Sequence, residues 1–252
     1  MTADPPQYEV RLARDAAERR AAQALRYAVF AGELGVRGAS VDHGRGLESD
    51  RFDPLCEHLL LIDRAGAGVV GTTRIIDAGC AARAGGFYCA GEFDLTPLTG
   101  SGRVLMEMGR TCLHPGHRGG TAMYHLWHGL ARIVTARGVE ILFGAASLPG
   151  TDPGALAQPL AWLHAHHLAP PELRVRALAP QRMDLVAPGS LDRRAAMLAM
   201  PALIKAYLRL GGVVGEGAFI DRDFDTTDVC LILDLGAMSP GQRAIYAQGG
   251  RA

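Results

Sequence analysis

The sequence predicts an α+β fold, a central mixed, mostly antiparallel twisted sheet flanked by helices. Three observations lead there. Stretches of apolar alternation interleave with stretches of helical periodicity, as in a sheet packed by helices. Several successive strand segments are only a few residues apart, so they pair as hairpins, not as parallel crossovers. With 252 residues, 48% of them apolar and 21% charged, the chain is long enough to bury a sizeable core.

The elements follow in order. YEVRLA (8–13) alternates and reads as a strand. Asp15 caps a helix through DAAERRAAQALRYAVFAGELG, with Ala21, Leu25, Ala28 and Val29 on its apolar face. Residues 36–54 are polar and Gly-rich and read as a loop. EHLLLIDR (57–64) and GVVGTTRIID (68–77) form a hairpin. Residues 78–102 are rich in Gly and Ala, with a short helix near Phe93 to Leu98. VLMEMGRTCLH (104–114) is a strand, alternating Leu105, Glu107 and Gly109 against Met106, Met108 and Arg110, and a helix follows from Thr121 to Arg137. VEILFGAASL (139–148) is a buried strand, and 155–167 a helix that APPEL breaks. Residues 174–200 mix weak strand with polar linker. PALIKAYLRLGG (201–212) is a helix with Pro at its start and Gly-Gly at its end. VVGEGAFI and DVCLILDL close the sheet around RDFDTT. This gives one domain over 8–240, a core of 8–175 with a C-terminal extension of a helix and a strand pair over 176–240. A disordered 1–7 precedes it and a tail of 241–252 follows.

Composition excludes several classes. Net charge is zero, so nothing global points to nucleic acid. The five cysteines are scattered without a C-x-x-C pair, which predicts a reduced, cytoplasmic protein without a zinc site. No stretch reads as a signal peptide or a membrane span. His164, His166 and His167 lack a carboxylate or Cys partner nearby, so no metal is expected there. Asp221, Asp223 and Asp225 begin like a calcium loop, but Thr226 stands at its sixth position and Ile232 at its twelfth.

The turn HPGHRGGT (114–121) lies between a strand and a helix. Its glycines let backbone approach a ligand. The first helix amides and the helix dipole favour a phosphate, and Arg118 adds a fork of donors. Strand, R-x-x-x-H-P-x-x-R-G-G, then helix resembles the acyl-donor loop of the GNAT acyltransferases. LRYAVFAGELG, DRFDPLCEHLLL, VVGTTRII, GFYCAGEFDL, LMEMGRTCLHPGHRGG and ILFGAASL occur in the order found in the ornithine-lipid N-acyltransferases. So do HLAPPELRVRA, PALIKAYLRLGGVVGEGAFID and DFDTTDVCLILDL. The resemblance runs from about Tyr8 to Leu235. In its N-terminal half that family is similar to acyl-homoserine lactone synthases. One departure is Gly32, where an acidic residue is common.

The resemblance implies a GNAT-like fold and transfer of a 3-hydroxy fatty acyl group from acyl carrier protein to the α-amino group of L-ornithine, giving lyso-ornithine lipid. No tightly bound cofactor is expected; the acyl carrier protein's phosphopantetheine thioester is a cosubstrate. A lipid product implies transient contact with the inner membrane surface. Arg118, Arg132 and Arg137 are candidates to receive the acidic carrier. Other readings are a lactone synthase, an acetyl-CoA-dependent acetyltransferase and a non-catalytic acyl-binding module.

Amide formation needs a deprotonated amine, a stabilised thioester oxygen and aligned reactants. Glu107 is the first choice for general base, its structural alternative being a salt bridge to Arg110 or Arg74. Asp53 is placed with it for proton removal, and Asp50 and Asp53 for binding the cationic acceptor. Arg26, Arg74 and Arg110 form the cationic group, since arginine in an apolar strand demands a partner. One holds the acceptor carboxylate bidentately. The donor arm falls to the backbone around Cys112 and Leu113, to Arg118, Gly119, Gly120 and Thr121, and to Ser147.

Overall fold

The computed structural model describes residues 8–66 and 68–247; the expected disorder of 1–7 lies outside them. In chain order the elements are β1 (Tyr8–Leu12), α1 (Ala16–Arg26), β2 (Val41–Asp42), β3 (Leu47–Glu48), β4 (Glu57–Asp63) and β5 (Gly68–Asp77). Next come α2 (Ala78–Ala84), β6 (Phe93–Asp94), α3 (Thr96–Thr99), β7 (Leu105–Leu113), α4 (Ala122–Ala136), β8 (Ile141–Pro149) and α5 (Ala157–His167). Then follow β9 (Arg176–Ala177), α6 (Arg193–Ala199), α7 (Ala202–Arg209), β10 (Val213–Val214), β11 (Phe219–Asp221), β12 (Thr226–Asp234) and α8 (Pro240–Ala247).

The main sheet runs β1-β4-β5-β7-β8-β12-β10, with β11 also on β12. Every pair in it is antiparallel except β7–β8. That pair is parallel because α4 carries the chain back across the sheet. The expected mixed, mostly antiparallel sheet is therefore present. Alternation along the strands feeds two cores. Met106, Met108, Leu142, Leu231 and Leu233 pack under α4 and α7. Leu105, Ile141, Phe143, Cys230 and Ile232 face the opposite layer, with Phe87 and Phe93.

Some elements differ from the sequence reading. Asp15 does cap α1, accepting from Ala17 N and Glu18 N. From Tyr27 to Glu33, however, the helix continues in wider π turns. Residues 36–54 are not all loop, since β2 and β3 form a small ribbon. Helix α2, capped by Asp77, and α6, capped by Asp192, were not anticipated. The segment from 241 begins as helix α8. The calcium-like DRDFDTTD forms the turn between β11 and β12, where Asp221 Oδ1 accepts from Asp223 N and Phe224 N. No helix among the described residues is long and apolar enough to cross a membrane.

Candidate active site

Strands β7 and β8 pair only over Leu105–Glu107 with Ile141–Phe143. Gly144 stands where they part. A Cβ there would meet the Met108 carbonyl oxygen at 2.2 Å, so only glycine permits this approach. Strand β7 also bulges. Its register with β5 shifts between Thr72 and Arg74, and Arg110 takes φ 55°, a left-handed conformation costing a non-glycine residue about 1–2 kcal/mol. Strict alternation would send Arg110 to the side of Met106 and Met108. The extra residue instead turns it to the side of Glu107. Both border a cavity of about 230 Å³ in the opening between the strands. Its walls include Met108–Thr111 and Gly144–Ser147, with Phe30, Leu34, Leu203, Tyr207 and Phe224 as apolar lining.

The cationic group forms as expected, but most of it is sealed. Arg26 is fully buried and donates to both oxygens of Asp53 and to the Glu48 carbonyl, and its Nε lies 2.6 Å from the Glu48 carboxylate. Arg74 donates to Asp50 (2.6 Å) and to Asp53 (3.0 Å). Arg110 reaches Glu48 (3.2 Å), Asp50 (3.4 Å) and the Tyr88 hydroxyl (3.4 Å), and its guanidinium lies over the Tyr88 and Phe224 rings. Three arginines thus balance three carboxylates. Arg74 and Arg110 border the cavity, whereas Arg26 and Asp53 do not. Asp53 also accepts from Gln23. Burial alone would raise its pKa, but Arg26, Arg74 and Gln23 hold it far below the usual carboxylate range. A carboxylate so well satisfied is a poor proton acceptor, and Arg26 is fully buried and off the cavity wall. The sequence reading missed Glu48, which joins Arg26 to Arg110, and Tyr88, whose hydroxyl burial pushes up to about 12.

Glu107 makes neither of the salt bridges considered for it. Its two oxygens accept from Tyr88 N (2.7 Å) and Cys89 N (2.8 Å), at the start of the short 3-10 turn Tyr88–Gly91. Burial raises its pKa against those bonds. It remains on the cavity wall, an acceptor with spare lone pairs.

Asp221 and Asp228 line another part of the cavity, with Glu92 beside them; of the three the sequence reading names only Asp221, in the calcium-like loop. Glu92, Asp221 and Asp228 bring one oxygen each to within 4.8 Å of one another. Burial, with the charges of Asp228 and Asp221 adding to it, pushes Glu92 up to about 8. Burial likewise raises Asp228 to about 6. This trio is the one group of carboxylates, His or Cys among the described residues spaced to hold a metal ion.

On the donor side, β7 ends at Leu113, a turn over Pro115–His117 follows, and Gly119 adopts φ 77° before α4. The Thr121 side chain makes no capping bond, so the first amides of α4 keep their capacity for an anion. Arg118 is less free than expected, donating to Glu33 (2.7 Å) and to the Leu113 carbonyl (3.1 Å). The Cys112 and Leu113 side chains are buried, and burial lifts the Cys112 thiol to about 12. Only their backbone is available to a donor. Ser147 is exposed and lies on the cavity wall. Gly32 is exposed and off that wall, between Phe30 and Leu34, which are on it.

Comparison with known proteins agrees with this architecture. Residues 25–128 match the family described as acetyltransferase (GNAT) domain. The chain is 59% identical to the L-ornithine N(alpha)-acyltransferase of Rhodobacter capsulatus, the match covering 98% of each chain. It is 39% identical to that of Rhizobium meliloti, over 92% of this chain and 81% of the relative. Among solved structures, it resembles FeeM, an N-acyl amino acid synthase from uncultured soil microbes, with a TM-score of 0.56 and 13% identity over 93% of this chain and 95% of that one. It also resembles the AHL synthase LasI, with a TM-score of 0.54 and 16% identity over 98% of each. These structural likenesses speak to the fold.

Proposed function

Because the chain belongs to the L-ornithine N(alpha)-acyltransferases, and so is an acyltransferase, we propose that it transfers a 3-hydroxy fatty acyl group from acyl carrier protein to the α-amino group of L-ornithine. The product is lyso-ornithine lipid. The observation that carries this reading is the opening between β7 and β8. It leaves a strand edge unpaired beside a cavity that holds both Arg110 and Glu107.

In this reading the phosphopantetheine arm lies along the free edge of β7, and its phosphate meets the first amides of α4. Backbone N–H groups near Thr111 to Leu113 stabilise the charge developing on the thioester oxygen. Arg110 takes the acceptor's α-carboxylate, since its present contacts to Glu48, Asp50 and Tyr88, at 3.2–3.4 Å, are long for charge-assisted bonds and leave room for a closer pair. The amine, largely protonated near neutral pH, gives a proton to Glu107, directly or through a water. The amine nitrogen then attacks the thioester carbonyl. The C–N bond forms, the C–S bond breaks, and the departing thiolate takes up the proton that the nitrogen loses as it becomes an amide. No covalent enzyme intermediate is needed. The apolar walls receive the acyl chain, and the lipid product implies brief contact with a membrane surface.

The test is transfer in vitro from 3-hydroxyacyl carrier protein, from the matching acyl-CoA and from acetyl-CoA, to a panel of amino acids, with product mass as the readout. N-acyl-ornithine from the carrier-bound donor is the expected result. Transfer from acetyl-CoA alone would replace the donor assignment, and preference for another amine would replace the acceptor.

A further inference from the structure

The charge balance around the cavity is uneven. Arg26, Arg74 and Arg110 are matched by Glu48, Asp50 and Asp53. Glu92, Asp221 and Asp228 enter no ion pair among the described residues, yet their oxygens lie within 4.8 Å of one another. Two of them are nine-tenths buried or more, with Glu92 6% and Asp228 4% exposed. Glu92 Oε2 and Asp228 Oδ1 are buried and have no hydrogen-bond partner. Such groups are costly to a fold that gains nothing from them. Asp221 and Asp228 are on the wall of the cavity that Arg110 also borders, so one small molecule can meet both.

We propose that Glu92, Asp221 and Asp228 form the subsite for a second cationic group on the acceptor, the side-chain ammonium of a dibasic amino acid, and thereby set acceptor specificity. This rests on the reading of the chain as an amino-acid N-acyltransferase with ornithine as acceptor. The logic is one of charge. A monobasic amino acid brings no net charge to a cavity with uncompensated carboxylates. A dibasic one brings a net positive charge, with its carboxylate at Arg110, its α-amine toward Glu107 and the donor, and its distal ammonium free to reach the trio. An ammonium has three donors, one for each carboxylate. Burial that raises Glu92 to about 8 and Asp228 to about 6 fits a site completed by a cation, which would draw these groups back to the ionised form.

The test compares L-ornithine with L-norvaline, which has the same carbon chain without the distal amine. Binding is read by calorimetry and transfer by product mass, for wild type, Glu92→Gln and Asp228→Asn. Wild type is expected to prefer ornithine by on the order of 100-fold or more, since a site built for a polar group rejects the analogue lacking it. Each variant should lose most of that preference, and a cooperative thermal transition shows that the variant is folded. Asp221→Asn, at the half-buried edge of the trio, serves if a buried substitution unfolds the chain. An unchanged preference overturns the proposal, as does an equal loss on both amino acids, which would assign the trio to the α-amine. Calorimetric binding of Mg²⁺ or Ca²⁺ that the variants abolish, with activity removed by a chelator, overturns it in favour of a metal. Ornithine-selective binding without acyl transfer would sink the functional reading alone. Transfer without that selectivity would sink this inference alone.

Discussion

Asp53 accepts from Arg26, Arg74 and Gln23, and its neutral replacement by Asn leaves two buried guanidinium groups short of charge. Removing one partner of a buried ion pair costs about 3–5 kcal/mol. Asp53→Asn should therefore lower the urea midpoint sharply at pH 7. The acid dependence has a definite sign. The folded pKa lies below the unfolded value of about 3.9. The stabilisation is present above that value and is lost as pH falls toward the folded one. The gap between wild type and variant should thus close under acid. Glu107→Gln behaves differently. Its one remaining oxygen serves only one of the Tyr88 and Cys89 amides, leaving the other unsatisfied at about 1–3 kcal/mol, and it cannot take a proton, so kcat of the folded enzyme should fall by about 10²–10⁴-fold. An unchanged kcat would end its role as base. The arginines were legible because a guanidinium in an apolar strand must find a partner. Whether a carboxylate is sealed or open was not, since Asp50 and Asp53 sit three residues apart and only packing tells them apart.

Elements with an unbroken period were read well, and those with a break were not. The pattern of β7 predicts strict alternation, which separates Glu107 from Arg110; the bulge unites them, and the sequence carries no sign of it beyond Gly109. Helix α1 was read through residue 35 because apolar spacing alone does not distinguish α from π turns. Helix α6 has seven residues, too few for a period to declare itself. Gly144→Ala tests the opening of the sheet. Its Cβ collides with the Met108 carbonyl, so the variant should lose about 1–3 kcal/mol of stability and use the thioester donor with a raised KM. A variant as stable and as active as wild type would show that the close approach is dispensable.

Across the whole molecule, acidity is distributed for two purposes. The arginine network stabilises the fold, whereas Glu92 and Asp228 work against it at neutral pH. Their folded pKa values of about 8 and about 6 lie above the unfolded values near 4. The folded state therefore holds more protons between those limits, and their contribution to stability falls as pH rises through that range. Around Glu92 the charged groups are Asp228, Asp221, Arg110 and Glu107; around Asp228 they are Asp221 and Arg110. Glu92→Gln should accordingly melt several degrees above wild type at pH 8, given about 2–4 °C per kcal/mol in a chain of this size. The advantage should vanish near pH 4. A constant difference at all pH values would refute the linkage. The trio was invisible in the sequence because its members come from positions 92, 221 and 228, which only the sheet brings together. The sequence does not decide whether the C-terminal extension packs over the site; Leu203 and Tyr207 line the same cavity.

The brief pairing of β7 with β8 has a mechanical consequence. Only three residue pairs, Leu105–Ile141, Met106–Leu142 and Glu107–Phe143, stitch one half-sheet to the other. Beyond that short seam no backbone rung joins β7 to β8, and α4 links the two halves. A pantetheine arm lying in the gap would supply the missing rungs and stiffen the joint. Amide hydrogens of β7 beyond Met108 and of β8 beyond Gly144 should then exchange more slowly once a donor thioester is bound. The outer strands β1 and β4, far from the seam, should keep their rates.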